Sequence, residues 1–134
     1  MNEIIEQSFI KNFIDKRYRD RLLFELSSDK KRRNAIDRFS HNAEELLNPQ
    51  KILLKGDITI SDIEAQLKQR KINASSYVLS FEFSDGHTCT PREALSYFEQ
   101  SPTAVIVMFS DSIALIKAET EGASPSKYLL CNDK

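Results

Sequence analysis

The sequence predicts an α+β protein: a mixed four- to five-stranded sheet ending in an antiparallel meander, flanked by helices, with an N-terminal helical arm. Three observations carry this. Residues 3 to about 47 hold no proline or glycine and place apolar side chains every three or four positions. Alternating or continuous apolar runs of strand length begin only after residue 50. The last three such runs are joined by connections too short for crossovers, which makes their pairing antiparallel. The 134 residues fit one domain, with 1–48 as the helical arm and 49–134 as the mixed α/β portion. With 40% apolar residues, a core without metal or disulfide staples is within reach.

The arm opens with Ile5, Phe9 and Phe13, flanked by Ile10 and Ile14, on one helical face. Tyr18, Leu22 and Leu26 continue the spacing, and Ser27-Ser28-Asp29 predicts a break. Ile36, Phe39, Ala43, Leu46 and Leu47 define a further helix, ended by Asn48-Pro49. Lys51 to Lys55 reads as a short strand closed by Gly56-Asp57. Ser61 and Glu64 have capping-box spacing, with Ile60 as a staple, for a helix reaching about Lys71. Tyr77, Leu79, Phe81 and Phe83 alternate with smaller or polar residues, the pattern of a half-buried strand. Thr90-Pro91-Arg92-Glu93 is the sharpest local signal: a threonine cap, proline at the first helical position and glutamate at the third. That helix ends before Pro102. Ala104 to Phe109 is a strand apolar on both faces, Ile113 to Ala118 a second and Lys127 to Cys131 a third, with a small polar loop from Glu119 to Ser126. The expectation is that Leu79, Phe81, Val105, Val107, Ile113 and Leu115 are buried in one sheet.

Composition excludes several functions. Gly56, Gly86 and Gly122 are the only glycines, so neither a dinucleotide fingerprint nor a P-loop can be built. The longest apolar run has six residues against the ~18 of a membrane span, and the acidic N-terminus lacks the basic region of a signal peptide. The expected place is the cytoplasm, with no membrane association. There, two cysteines are free thiols more often than a bridge. A net charge of −1 argues against a wholesale polyanion binder.

Reactive side chains cluster only at Asp85-Gly86-His87-Thr88-Cys89. A thiol just before a helix start has its pKa lowered by unpaired amides and the dipole. Cys89 as nucleophile, His87 as base and Asp85 as orienter can therefore be drawn. The plainer reading is a turn running into a strand end. Cys89, His87, Cys131 and His41 offer zinc-type donors, but none has the paired spacing of a metal motif. No metal and no cofactor is expected. Asp37, His41 and Glu45 share an outward stripe, read as a solvated face.

The segment from Lys11 to Arg38 carries ten basic residues against five acidic ones, leaving +5 here and −6 elsewhere. Lys30 to Arg33 are four consecutive cations at a predicted helix start, where they oppose the macrodipole. The expected contact residues are Arg17, Arg19, Arg21, Lys30, Lys31 and Arg33. Arg32, four residues before Ile36, is expected partly buried against Glu25 or Asp20. The first functional expectation is a binding protein that contacts a protein partner through this basic arm. The second is a nucleic-acid binder using the same residues with Arg32, though no stacking aromatics are evident in the sequence. The third is a cysteine-dependent enzyme at His87 and Cys89.

Overall fold

The computed structural model describes residues 2–119 and 126–132. Among these, the helices are α1 (Glu3–Phe13), α2 (Arg19–Ser27), α3 (Arg32–Leu46), α4 (Ile60–Gln69) and α5 (Pro91–Gln100). The strands are β1 (Ile52–Gly56), β2 (Ser76–Ser80), β3 (Thr88–Cys89), β4 (Val105–Met108), β5 (Ile113–Ala118) and β6 (Ser126–Cys131). They form one sheet in the order β1-β6-β5-β4-β2-β3. Among the described residues no helix is long and apolar enough to cross a membrane. Most of the loop expected at Glu119 to Ser126 lies outside the described residues.

The architecture is α+β as expected, with two corrections. The sheet has six strands, and every adjacent pair is antiparallel, so it is not mixed. β1 and β2 run in the same direction, but α4 carries the chain from one flank of the β4–β5–β6 meander to the other. The meander therefore lies between them, and they cannot pair in parallel. The second correction concerns the arm. Helices α1 to α3 form a layer on one sheet face: Phe9, Phe13, Leu22 and Phe39 pack with Tyr77, Leu79, Ile106, Ile116 and Leu130. On the opposite face Ile63, Leu67, Leu95 and Phe98 from α4 and α5 pack with Val78, Val105, Val107, Ile113, Leu115 and Leu129. Both cores follow from the period-two alternation of side chains across the strands. Leu79, Val105, Val107, Ile113 and Leu115 are buried as expected, although Leu79 faces the other layer.

Local capping sets the element ends. Thr90 Oγ1 accepts from the Glu93 amide and Glu93 returns the bond to the Thr90 amide, so the expected box is formed. For α4 the box lies two residues earlier than expected, between Thr59 and Asp62. Ile58, just before that cap, and Ile63 are buried in the same cluster, so Ile58 rather than Ile60 is the staple. The expected break falls after Ser27, but the chain also breaks at Ile14, which is extended. There Asp15 caps a one-turn 3-10 helix by accepting from the Arg17 amide. Asp15 donates its amide to Leu46 O at 2.8 Å and Asn48 to Phe13 O at 2.9 Å, fastening the end of α1 to the end of α3.

Strand β2 stops at Ser80 instead of continuing through Phe83. The Asp85 carboxylate accepts from the Ser80 amide, and the Ser80 and Ser84 hydroxyls bond at 2.8 Å, folding the chain back on itself. Gly86 takes φ +75°, which a side chain would disfavour, and donates to Val78 O at 2.7 Å. Phe81 is consequently only half-buried, and Phe83 is 77% exposed.

Candidate functional site

The 81–87 segment is anchored to the α1–α3 layer by a buried ionic cluster. Arg32, at the first position of α3, is 5% exposed. Its guanidinium donates to Glu6 Oε1 and Oε2 at 2.8 and 2.6 Å and to Asp85 Oδ2 and Oδ1 at 2.8 and 3.1 Å. A fifth bond reaches Leu26 O at 3.2 Å. Tyr77 donates its hydroxyl to Glu6 Oε2 at 2.5 Å and accepts from the Asn2 amide at 2.9 Å. Burial works against the charge on Arg32, but the bonds to Glu6 and Asp85 outweigh it and hold the guanidinium above its usual pKa. Burial, reinforced by the Glu6 bond, pushes the Tyr77 phenol up to about 12. The fork of one arginine thus joins α1, α3, the α2 end and the turn after β2. The expected partners, Glu25 and Asp20, are not used, because Glu25 binds Arg38 at 2.8 and 3.1 Å.

Around this anchor the surface is aromatic and cationic. Lys31 Nζ sits 4.9 Å from the centroid of the Phe24 ring, which is 58% exposed. The Arg33 guanidinium lies 4.9 Å from the Phe81 centroid. Phe83 stands edge-on to His87 at 6.2 Å and to Tyr97 of α5 at 6.1 Å. Lys30, Lys31 and Arg33 are exposed, and none forms an ion pair with a carboxylate of a described residue.

The other expected contact residues lie apart from this surface in their bonding. Arg17 pairs with Asp15 and covers the Tyr18 ring at 5.1 Å. Arg19, partly buried, donates to Ile14 O at 3.0 Å. Arg21 reaches Glu25 at 3.9 Å. The ten cations therefore do not form one stripe. Arg17, Arg21 and Arg38 are engaged by carboxylates, Arg19 by a carbonyl, and Arg32 is interior.

The structure separates the Asp85–His87–Cys89 constellation by role. Asp85 serves Arg32 and the Ser80 amide, so it does not orient His87. Burial, with Glu93 adding repulsion, pushes the Cys89 thiol above its usual pKa, the reverse of the expected lowering. The reason is that Cys89 packs against the α4–α5 core, and the carboxylate of Glu93 is already at the helix end. Cys131 is in β6 and Cys89 in β3, with β5, β4 and β2 between them, roughly 19 Å at strand spacing. His41 lies on α3, 3.4 Å from Asp37. Among the described residues, no three His, Cys, Asp or Glu side chains converge as metal ligands.

Sequence reasoning missed the exposed aromatics and the buried acid. Glu6 lies on the stripe of Phe9, Ile10 and Phe13, at spacings of three, four and seven. An acid on an apolar stripe signals a buried partner. Phe24 lies off the Tyr18–Leu22–Leu26 stripe, which signals exposure. No family model, no curated protein and no solved structure matches this chain.

Proposed function

We propose that this chain is a binding protein that docks an acidic protein surface on the face formed by the α2–α3 junction and the 81–87 turn. One observation carries the reading: Lys31 and Arg33 rest on the exposed ring of Phe24 and the half-buried ring of Phe81, without a carboxylate partner among the described residues, beside an outward Phe83. Aromatic and arginine side chains dominate the energetics of protein interfaces. Burying the outward ring of Phe83 in a partner stabilises a complex by roughly 2 kcal/mol. The Arg32 cluster holds the turn in one shape before binding, which reduces the ordering cost. The contact set is then Lys30, Lys31 and Arg33 with Phe24, Phe81 and Phe83; Arg17, Arg19 and Arg21 fall outside it.

An acidic protein fits better than a nucleic acid. Three cations would neutralise about three phosphates, where established DNA binders make roughly 6–10 such contacts. The test compares wild type with two variants, Lys30→Glu/Lys31→Glu/Arg33→Glu and Phe83→Ser. A partner recovered by wild type should be lost with both, and should crosslink to a photoreactive residue placed at position 83. Recovery of the same proteins by the triple variant overturns the reading. Oligonucleotide binding at low salt with a slope of three or more overturns it in favour of nucleic acid.

A further inference from the structure

A second site lies on the opposite layer, where β5 and β6 meet α4 and α5. Lys117 is the one charged residue on β5, whose other members are all buried apolar residues. It is 6% exposed. Its register partner across the β5–β6 ladder is Lys127, so two ammonium-bearing side chains stand directly opposite each other on one face. Like charges in that position destabilise a sheet. The Lys117 ammonium donates to the main-chain carbonyls of Phe98 and Ser101 at the end of α5 and lies 5.3 Å from the Phe98 ring centroid. That accounts for two of its three protons. Among the described residues, Lys127 donates weakly, to Ile58 O at 3.4 Å. No carboxylate of a described residue lies within salt-bridge distance of either lysine; Asp57 and Glu99, both exposed, line the same cavity, and Glu82 and Glu99 act on Lys117 only from further off.

A buried charge is ordinarily paired, because removal from water is costly without a counter-charge. Here the two lysines open on a cavity of about 520 Å³. Ile58, Ile60, Phe98 and Pro102 give it an apolar wall, and Thr59 and Ser101 add polar groups. Its size falls within the range of small-molecule sites, which combine apolar walls with a few convergent polar groups. We propose that this cavity binds a small organic anion, its carboxylate or phosphate held between Lys117 and Lys127 and its apolar part against Ile60, Phe98 and Pro102. The anion supplies the close counter-charge that no described residue gives the two facing lysines and accepts a hydrogen bond from the remaining N–H of Lys117. Burial, and then repulsion by Lys127, hold the Lys117 ammonium below the usual lysine pKa, a strain that a bound anion relieves.

The site shares no residue with the proposed protein-docking face, so the two stand or fall separately. The probes are benzoate, phenyl phosphate and the neutral analogue benzyl alcohol, titrated at constant ionic strength. Binding is followed by thermal unfolding and by the amide NMR signals of β5 and β6. The expected result is a saturable rise in midpoint with benzoate or phenyl phosphate, shifts centred on Lys117 and Lys127, and no effect of benzyl alcohol. The stronger of the two anions identifies the headgroup. Lys127→Met removes a half-buried side chain with one weak bond to a described residue and should fold; its affinity should fall at least tenfold. Lys117→Met should lose binding equally, and if it does not fold, Lys127→Met decides alone. Absence of a saturable shift with either anion, or wild-type affinity in Lys127→Met, overturns the site.

Discussion

Replacing Arg32 by methionine keeps an apolar stem of similar length and removes the guanidinium from between Glu6 and Asp85. Five hydrogen bonds are lost, four of them to carboxylates. Glu6, 4% exposed, keeps only the Tyr77 hydroxyl, and Asp85 keeps the Ser80 amide. Breaking a buried pair by removing one partner costs about 3–5 kcal/mol, because the other charge stays behind unpaired. Domain stability is about 5–15 kcal/mol, so the variant is left with a modest reserve. With a urea slope near 2 kcal/mol/M, the unfolding midpoint should fall by roughly 2 M at unchanged slope. Because the cluster fastens the turn after β2, amide exchange at Asp85, Gly86 and His87 should accelerate more than exchange in β4 or β5. Glu6→Gln retains part of the network and should cost less than Arg32→Met. A loss below about 1 kcal/mol for Arg32→Met, with an unchanged slope, would refute the view that this fork holds the layers together.

Four further outcomes follow from the geometry. Thr90→Ala should cost about 1 kcal/mol at neutral pH through loss of the N-cap acceptor, read from the denaturation midpoint; an unchanged midpoint would show that the cap is idle. The backbone and side-chain bonds with Thr90 hold the Glu93 carboxyl below its ordinary value of 4.5. Its stabilisation is therefore present above that value and lost as pH falls through the lowered one, so the stability gap between wild type and Glu93→Gln should close in acid. The raised thiol pKa of Cys89 predicts sluggish iodoacetamide labelling below pH 8, and rapid labelling there would restore the nucleophile reading. The triple reversal Lys30→Glu/Lys31→Glu/Arg33→Glu should change stability by less than about 1 kcal/mol: relief of the α3 macrodipole offsets two exposed cation–π contacts. A larger loss would mean that these cations hold the fold rather than face a partner.

The parts of the fold legible in the sequence are those set by local chemistry. The Thr90 box, the β5 span and the two-faced apolar run of β4 depend on neighbours within a few residues, and they stand where the pattern puts them. The misplaced features depend on distant groups. Strand β2 ends at Ser80 because a carboxylate five residues on takes its amide, which period-two reading cannot see. The antiparallel sheet arises because α4 crosses the whole meander, a property of topology rather than of any one segment. Likewise the Asp85–His87–Cys89 reading required Asp85 to be available, and its partner comes from residue 32.

The basic run at residues 30–33 shows how one helix frame divides four like charges. Arg32 stands four and seven residues before Ile36 and Phe39, on the stripe that faces the core, and it finds Glu6 and Asp85 there. Its neighbours on either side are turned outward by the same 3.6-residue period. The fork that anchors the turn after β2 therefore also fixes where Lys31 and Arg33 meet the rings of Phe24 and Phe81. Interior pairing and surface display depend on a single register. A one-residue insertion between Arg33 and Asn34 would put Arg33 four residues before Ile36, burying it in poor geometry in place of Arg32, and would disperse the exposed cations. Stability and partner binding should accordingly fall together in that variant, whereas the triple reversal should separate them.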